Sequence, residues 1–231
     1  MRNLRKIFIK KFIRERGGYF GIVGAASMTI SALISYYLYS LVNPGFNIIS
    51  YAVSDLGTGP GLSGLIYNIG LLIASFSQIP LYISLIFYLR KKIGNIFLTR
   101  IVALCSLFSI FSHNFLSLVP FERSIILLYY THGIAAVIHY VAGSFSLILY
   151  GYIELLYVKV SKILVIVSFI TGVLYGTLWI GYLLDFLVGI PEEYINHTIQ
   201  WVGLASVIIW SLFHGIFLIK AKKRDLDNIK I

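Results

Sequence analysis

Residues 43–64 read NPGFNIISYAVSDLGTGPGLSG, the longest polar connection in a chain that is otherwise mostly apolar. Two of the five prolines, five of the twenty glycines and one acid, Asp55, fall inside it. Apolar runs flank it at 18–42 and 63–89. Four more follow at 98–119, 125–151, 162–188 and 197–219. Each comes near the about 20 residues that a membrane-spanning helix needs. The pattern predicts an all-α, polytopic membrane bundle of six transmembrane helices. Residues 18–219 form its single domain, with a basic segment at 1–17 and a basic tail at 220–231. The third and fourth runs are joined only by Pro120 to Ser124, so they are expected to form a tight antiparallel hairpin.

Composition agrees. The 231 residues are 58% hydrophobic and 12% charged, with a mean hydropathy of +0.87. Soluble domains run nearer 45–50% apolar and about 25% charged, and one soluble core cannot hide such an excess. Cys105 is the lone cysteine, so no intrachain disulfide is available.

The net charge of +10 raises a nucleic-acid reading, which its distribution excludes. With the N-terminus inside, segments 1–17, 90–100, 152–162 and 220–231 hold 18 of the 19 Lys and Arg, and Arg123 is left outside. Basic residues concentrate on the cytoplasmic side of membrane proteins. Both termini are therefore expected in the cytoplasm of a multi-pass cell-membrane protein, with the 43–64 loop outside. The same charge predicts attraction to anionic lipid headgroups and no nucleic-acid partner. Within 1–17, Leu4, Ile7, Phe8 and Phe12 share a helical face, the pattern of a basic amphipathic helix on a membrane surface. The long apolar run behind it reads as a membrane helix rather than a cleaved leader.

Gly17, Gly21 and Ala25, and again Gly172 and Gly176, recur at spacing four, which lets helices approach closely within the chain or in an oligomer. Pro80 is expected to kink the second helix.

Ionisable groups in a bilayer are costly and mark candidate sites. His113 precedes Glu122 by nine residues and His132 follows it by ten. On antiparallel helices both then sit at one depth, roughly 10 Å below the outer ends. His139 shares a face with His132, and Asn68 and Asn114 can join the same interior. These positions suggest an outward cavity ringed by Asp55, His113, His132, Asp185 and His197, the candidate ligand-binding residues. Each has a plainer reading. Asp55 is placed to cap a turn, and each histidine can simply bond a neighbouring helix. Glu122 and Arg123 read as a solvated hairpin tip, Glu192 and Glu193 as loop charge, and His214 as facing the headgroups.

Phosphate-loop, HExxH, GxSxG and paired-Cys motifs are absent. No cofactor is therefore implied by motif.

The stretch ISYAVSDLG (49–57), then Tyr67-Asn68, Val119-Pro120-Phe121-Glu122 and His132-Gly133-Ile134-Ala135-Ala136 resemble, in order, the family catalogued as domain of unknown function 998. Its members are six-helix prokaryotic membrane proteins. The pattern covers roughly 18–215, with the acid at Glu122 displaced by one residue from the family's place. The loop is more distantly similar to the I-S-D-x-G signature of the DRAM or Frag-type membrane proteins. The resemblance implies that Asp55, Gly57 and His132 belong to a recurring pattern, and it supplies no established reaction.

Three functional readings stand open. One is a non-enzymatic protein that binds or transports a lipid or small molecule in the polar pocket. Another is a metal-dependent intramembrane lipid hydrolase, in which His113, His132 and His197 hold zinc and Asp55 is the general base. That arrangement is similar to the alkaline ceramidase and progestin-receptor superfamily, whose closing His-x-x-x-His pair and seventh helix this sequence lacks. The third is a proton-coupled transporter that uses the histidines and Asp185 as a relay.

Overall fold

A computed structural model describes the backbone of residues 2–93, 95–119, 125–158, 160–188 and 193–227. Within that set it describes side chains over 15–222, apart from 182, 185–188 and 193–196. Six helices carry the fold: α1 (Arg2–Val42), α2 (Ser63–Ile93), α3 (Ile96–Leu118), α4 (Ile126–Ile153), α5 (Lys162–Val188) and α6 (Glu193–Asp227). A 3-10 turn (Val53–Thr58) lies in the first connection, and α4 runs on into a π turn (Glu154–Val158). All six helices are long and apolar enough to cross a membrane, and no strand occurs among the described residues.

Helices are the expected solution, because in hydrocarbon every backbone N–H and C=O must be satisfied within the segment. Their starts follow local chemistry. Asn95 accepts hydrogen bonds from the N–H groups of Phe97 and Leu98, both at 3.1 Å, and so opens α3. Pro80 sits inside α2, which continues through it.

Neighbouring helices run antiparallel, and their hydrogen bonds set the register. Ser27 donates to the Gly70 carbonyl at 2.9 Å, and Ser35 and Ser63 exchange hydroxyl-to-carbonyl bonds at 2.9 Å. Ser75 donates to Asn114 across α2–α3 at 2.8 Å, and Ser144 donates to the Gly172 carbonyl across α4–α5 at 2.8 Å. Thr171 donates to the Ser206 carbonyl across α5–α6 at 3.3 Å. The ring closes where α6 meets α1. There a Cβ on Gly18 would stand 2.5 Å from the Gly215 carbonyl oxygen, and one on Gly215 would stand 2.6 Å from that of Gly18. Only glycine permits this approach.

The small-residue faces are thus filled by the chain's own helices. Gly17 lies against Ser84, Gly21 against Ser211 and Leu81, and Gly172 against Ile148. Outside, large apolar side chains such as Leu33, Phe111 and Leu127 are 66%, 73% and 71% exposed, as lipid contact requires.

Several sequence-based helix ends shift. The basic stretch 1–17 runs directly into the first span, because α1 is continuous from Arg2 to Val42. The fourth helix passes 151 and ends in the π turn, and α6 extends to Asp227. The hairpin tip, Pro120 to Ser124, lies outside the described residues.

Candidate functional site

The 43–64 connection folds down onto its end of the ring. Asn43 and Asn47 turn the backbone through their side-chain oxygens, which accept from Gly45 N–H at 3.1 Å and Ile49 N–H at 2.9 Å. Phe46 stacks on Tyr39 at 4.0 Å between ring centroids, and Trp201 of α6 donates to the Tyr51 carbonyl at 2.9 Å. Leu56 is fully buried, packed with Val53 and Tyr67. Asp55 accepts from the Ala52 N–H at 2.7 Å. The capping reading of Asp55 therefore has its hydrogen bond.

Beneath this plug lies a cavity of about 80 Å³ to which all six helices contribute. One water needs roughly 10–15 Å³ on this measure. The space suits several waters or a small polar headgroup, and it is too small for a whole lipid. The loop supplies Ser54 and Gly57, and α2 supplies Tyr67 and Asn68. His113 enters from α3, and His132, His139 and Tyr140 from α4. Tyr175 of α5 and Gln200 of α6 complete the polar side, while Met28, Leu71, Leu204 and Val207 form apolar wall. No Asp, Glu, Lys or Arg lines it among the described residues.

Hydrogen bonds hold the three rings. His132 Nδ1 lies 2.7 Å from the carbonyl oxygen of Val119, which caps the end of α3, so it must donate there. His139 Nδ1 lies 2.9 Å from the Ser109 carbonyl oxygen and likewise donates. His113 Nδ1 is 3.3 Å from Gln78 Oε1, and its ring lies 4.8 Å from that of His139. With Nδ1 as donor, each neutral ring carries its acceptor lone pair on Nε2. Asn68 Nδ2 donates to the Gly57 carbonyl at 2.9 Å, and a Cβ at Gly57 would press to 2.8 Å from Asn68 Oδ1.

Of the five residues expected to ring a pocket, the structure brings His113 and His132 to it and adds His139. Asp55 stands behind the wall that its neighbours Ser54 and Gly57 form. His197 is half-buried and outside the lining, and Gln200, one turn on, takes the place expected of it. The side chain of Asp185 lies outside the described residues, as do Glu122, Arg123 and Glu192. No group of three or more His, Cys, Asp or Glu among the described residues is arranged to hold a metal ion. His113, His132 and His197 therefore form no zinc site in this arrangement.

The chain matches no protein-family model, no curated protein and no solved structure. The site must therefore be read from its own chemistry.

A second polar cluster lies at the opposite end of the ring and corrects the reading of His214. That residue is fully buried rather than turned to the headgroups. Its Nε2 is 2.8 Å from Glu154 Oε1, and its Nδ1 is 2.8 Å from the Trp210 carbonyl oxygen. Ser168 donates to Glu154 Oε2 at 3.0 Å and accepts from Trp210 Nε1 at 3.0 Å. Glu154, 2% exposed, opens the π turn. Gln200, Gly203, Val207, Trp210 and His214 repeat at helical spacing, so their shared inward face was readable on α6.

Proposed function

We propose that the protein is a non-enzymatic integral protein of the cell membrane, with both termini cytoplasmic. Its loop-end cavity faces outward and binds or transports a lipid or small molecule through a neutral, hydrogen-bonding head. The uncharged polar lining carries this reading: three imidazoles, three tyrosines, two amides and a serine hydroxyl beside aliphatic wall. A formally charged ligand group brought there unpaired would lose several kcal/mol in desolvation. A hydroxyl or amide head instead finds donors and acceptors on several sides. The orientation rests on basic residues gathered at the end opposite the loop, among them Arg90, Lys91 and Lys92 in the last turn of α2. That end is also where anionic headgroups would bind.

Kinship with the domain-of-unknown-function 998 family remains a proposal, supported by the joint use of its pattern residues. Gly57 and His132 line the cavity, and Asp55 ties the turn that carries Gly57.

The test is mass spectrometry of small molecules and lipids extracted from detergent-purified protein, with Gln200→Leu as comparison. We expect an enriched neutral species in the wild type that falls away in the variant while helicity is unchanged. Identical extracts from both, matching bulk membrane, would sink the reading.

A further inference from the structure

On α4 and its π turn, His132, His139, Ser146, Tyr150 and Glu154 follow at spacings of 7, 7, 4 and 4, which keeps them on one helical face. At about 1.5 Å per residue the row is about 33 Å long, close to the roughly 30 Å hydrocarbon thickness of a bilayer. The facing helix α3 meets the row at two points. Ser109 Oγ is 3.1 Å from His139 Nδ1, and Ser106 Oγ is 2.7 Å from Ser146 Oγ. Next comes Tyr150, fully buried, one helical turn from Ser146 and one from Glu154.

The end of the row has a fixed proton count. His214 Nδ1 faces a carbonyl oxygen and must be an N–H. The 2.8 Å contact between Nε2 and Glu154 Oε1 then needs one proton between them. Ser168 spends its own proton on Oε2. The Glu154–His214 pair therefore holds one shared proton and no net charge, the form a bilayer tolerates best.

We propose that this row is a proton pathway across the membrane. The cavity histidines are its loop-end mouth, and Glu154–His214 is its proton-binding site at the other end. Tyr150, one turn from Ser146 and one turn from Glu154, is the link between the serine pair and that site. Each hand-over forms one O–H or N–H bond as another breaks. No oxidant, reductant or co-reactant enters, and the proton gradient supplies the drive. The π turn that begins at Glu154 opens the backbone at that end, and such turns recur at functional sites. Among the described residues, Tyr150 of α4 stands one turn before Glu154, and Tyr82 of α2 packs on Tyr150 at 5.8 Å between ring centroids. Among the described residues the ion-pair partner of Glu154 is His214. The inference rests on the row's geometry and holds whatever the cavity binds.

The experiment is dissipation of an imposed pH step in proteoliposomes holding a pH dye, with potassium and valinomycin to clamp the voltage. Infrared spectra of the same samples report protonated carboxyl. Wild-type vesicles should lose the step several-fold faster than protein-free vesicles. Glu154→Gln should fall to the protein-free rate and lose a carbonyl-stretch band. Ser106→Ala with Ser146→Ala should slow the flux while keeping that band, with circular dichroism confirming helicity in each variant. A wild-type rate equal to that of protein-free vesicles would overturn the pathway and leave the row a packing feature. Variants as fast as wild type would overturn it equally, by placing the flux elsewhere.

Discussion

Replacing His214 with leucine should be far more damaging than replacing Glu154 with glutamine, and the structure sets the size of both effects. His214→Leu leaves a carboxyl group 2% exposed that has lost its 2.8 Å partner. Removing one member of a buried pair costs about 3–5 kcal/mol. For a protein of this size about 1 kcal/mol moves the midpoint by roughly 2–4 °C, so the loss should be on the order of 10 °C. Glu154→Gln keeps the volume and the bonding pattern. The amide oxygen accepts from Ser168, and the amide N–H donates to His214 Nε2, which is free to accept because Nδ1 holds the proton. Its cost should stay within about 1 kcal/mol. The double change Glu154→Leu with His214→Leu should recover much of the single-variant loss, since apolar replacements of buried pairs are often neutral. Thermal unfolding of purified protein, followed by circular dichroism, reads all three. A Glu154→Gln midpoint as low as that of His214→Leu would refute the shared-proton count.

Other positions separate packing from capping. Gly215→Ala forces a Cβ to 2.6 Å from the Gly18 carbonyl and should cost about 1–3 kcal/mol. Gly133→Ala meets nothing within 4 Å and should stabilise by about 0.5–1 kcal/mol, both seen as midpoint shifts. Asp55→Ala removes the bond to Ala52 N–H and should cost about 1 kcal/mol while leaving the co-purifying species unchanged. Trp201→Phe loses the bond to the Tyr51 carbonyl, so protease should cut within 43–64 faster than in wild type.

The six spans were legible because lipid leaves the backbone few options, and hydropathy reports that directly. Half of the cavity was legible for a related reason. His113 and His132 stand out in apolar helices, and equal depth on an antiparallel hairpin follows from counting residues. Gln78 and Gln200 were missed because a neutral amide carries little cost signal in a sequence, although each sits on an inward face. Glu154 was missed because the fourth helix was ended at 151, which placed the acid in a solvated connection. The π turn carries it inward instead. His214 was misread from its depth alone, where its face, shared with Gln200 and Trp210, would have turned it inward.

A polar cavity reached from the outer, loop-bearing side is the central claim. Labelling of single introduced cysteines in intact cells with a membrane-impermeant thiol reagent tests it most directly. In a Cys105→Ser background, Ser54→Cys in the cavity wall and Thr58→Cys on the exposed turn should both react without permeabilisation. Lys222→Cys near the end of α6 should react only after permeabilisation. If the Lys222→Cys variant is labelled in intact cells while Ser54→Cys and Thr58→Cys stay silent, the orientation is contradicted. If Thr58→Cys is labelled and Ser54→Cys stays silent, an accessible cavity is contradicted.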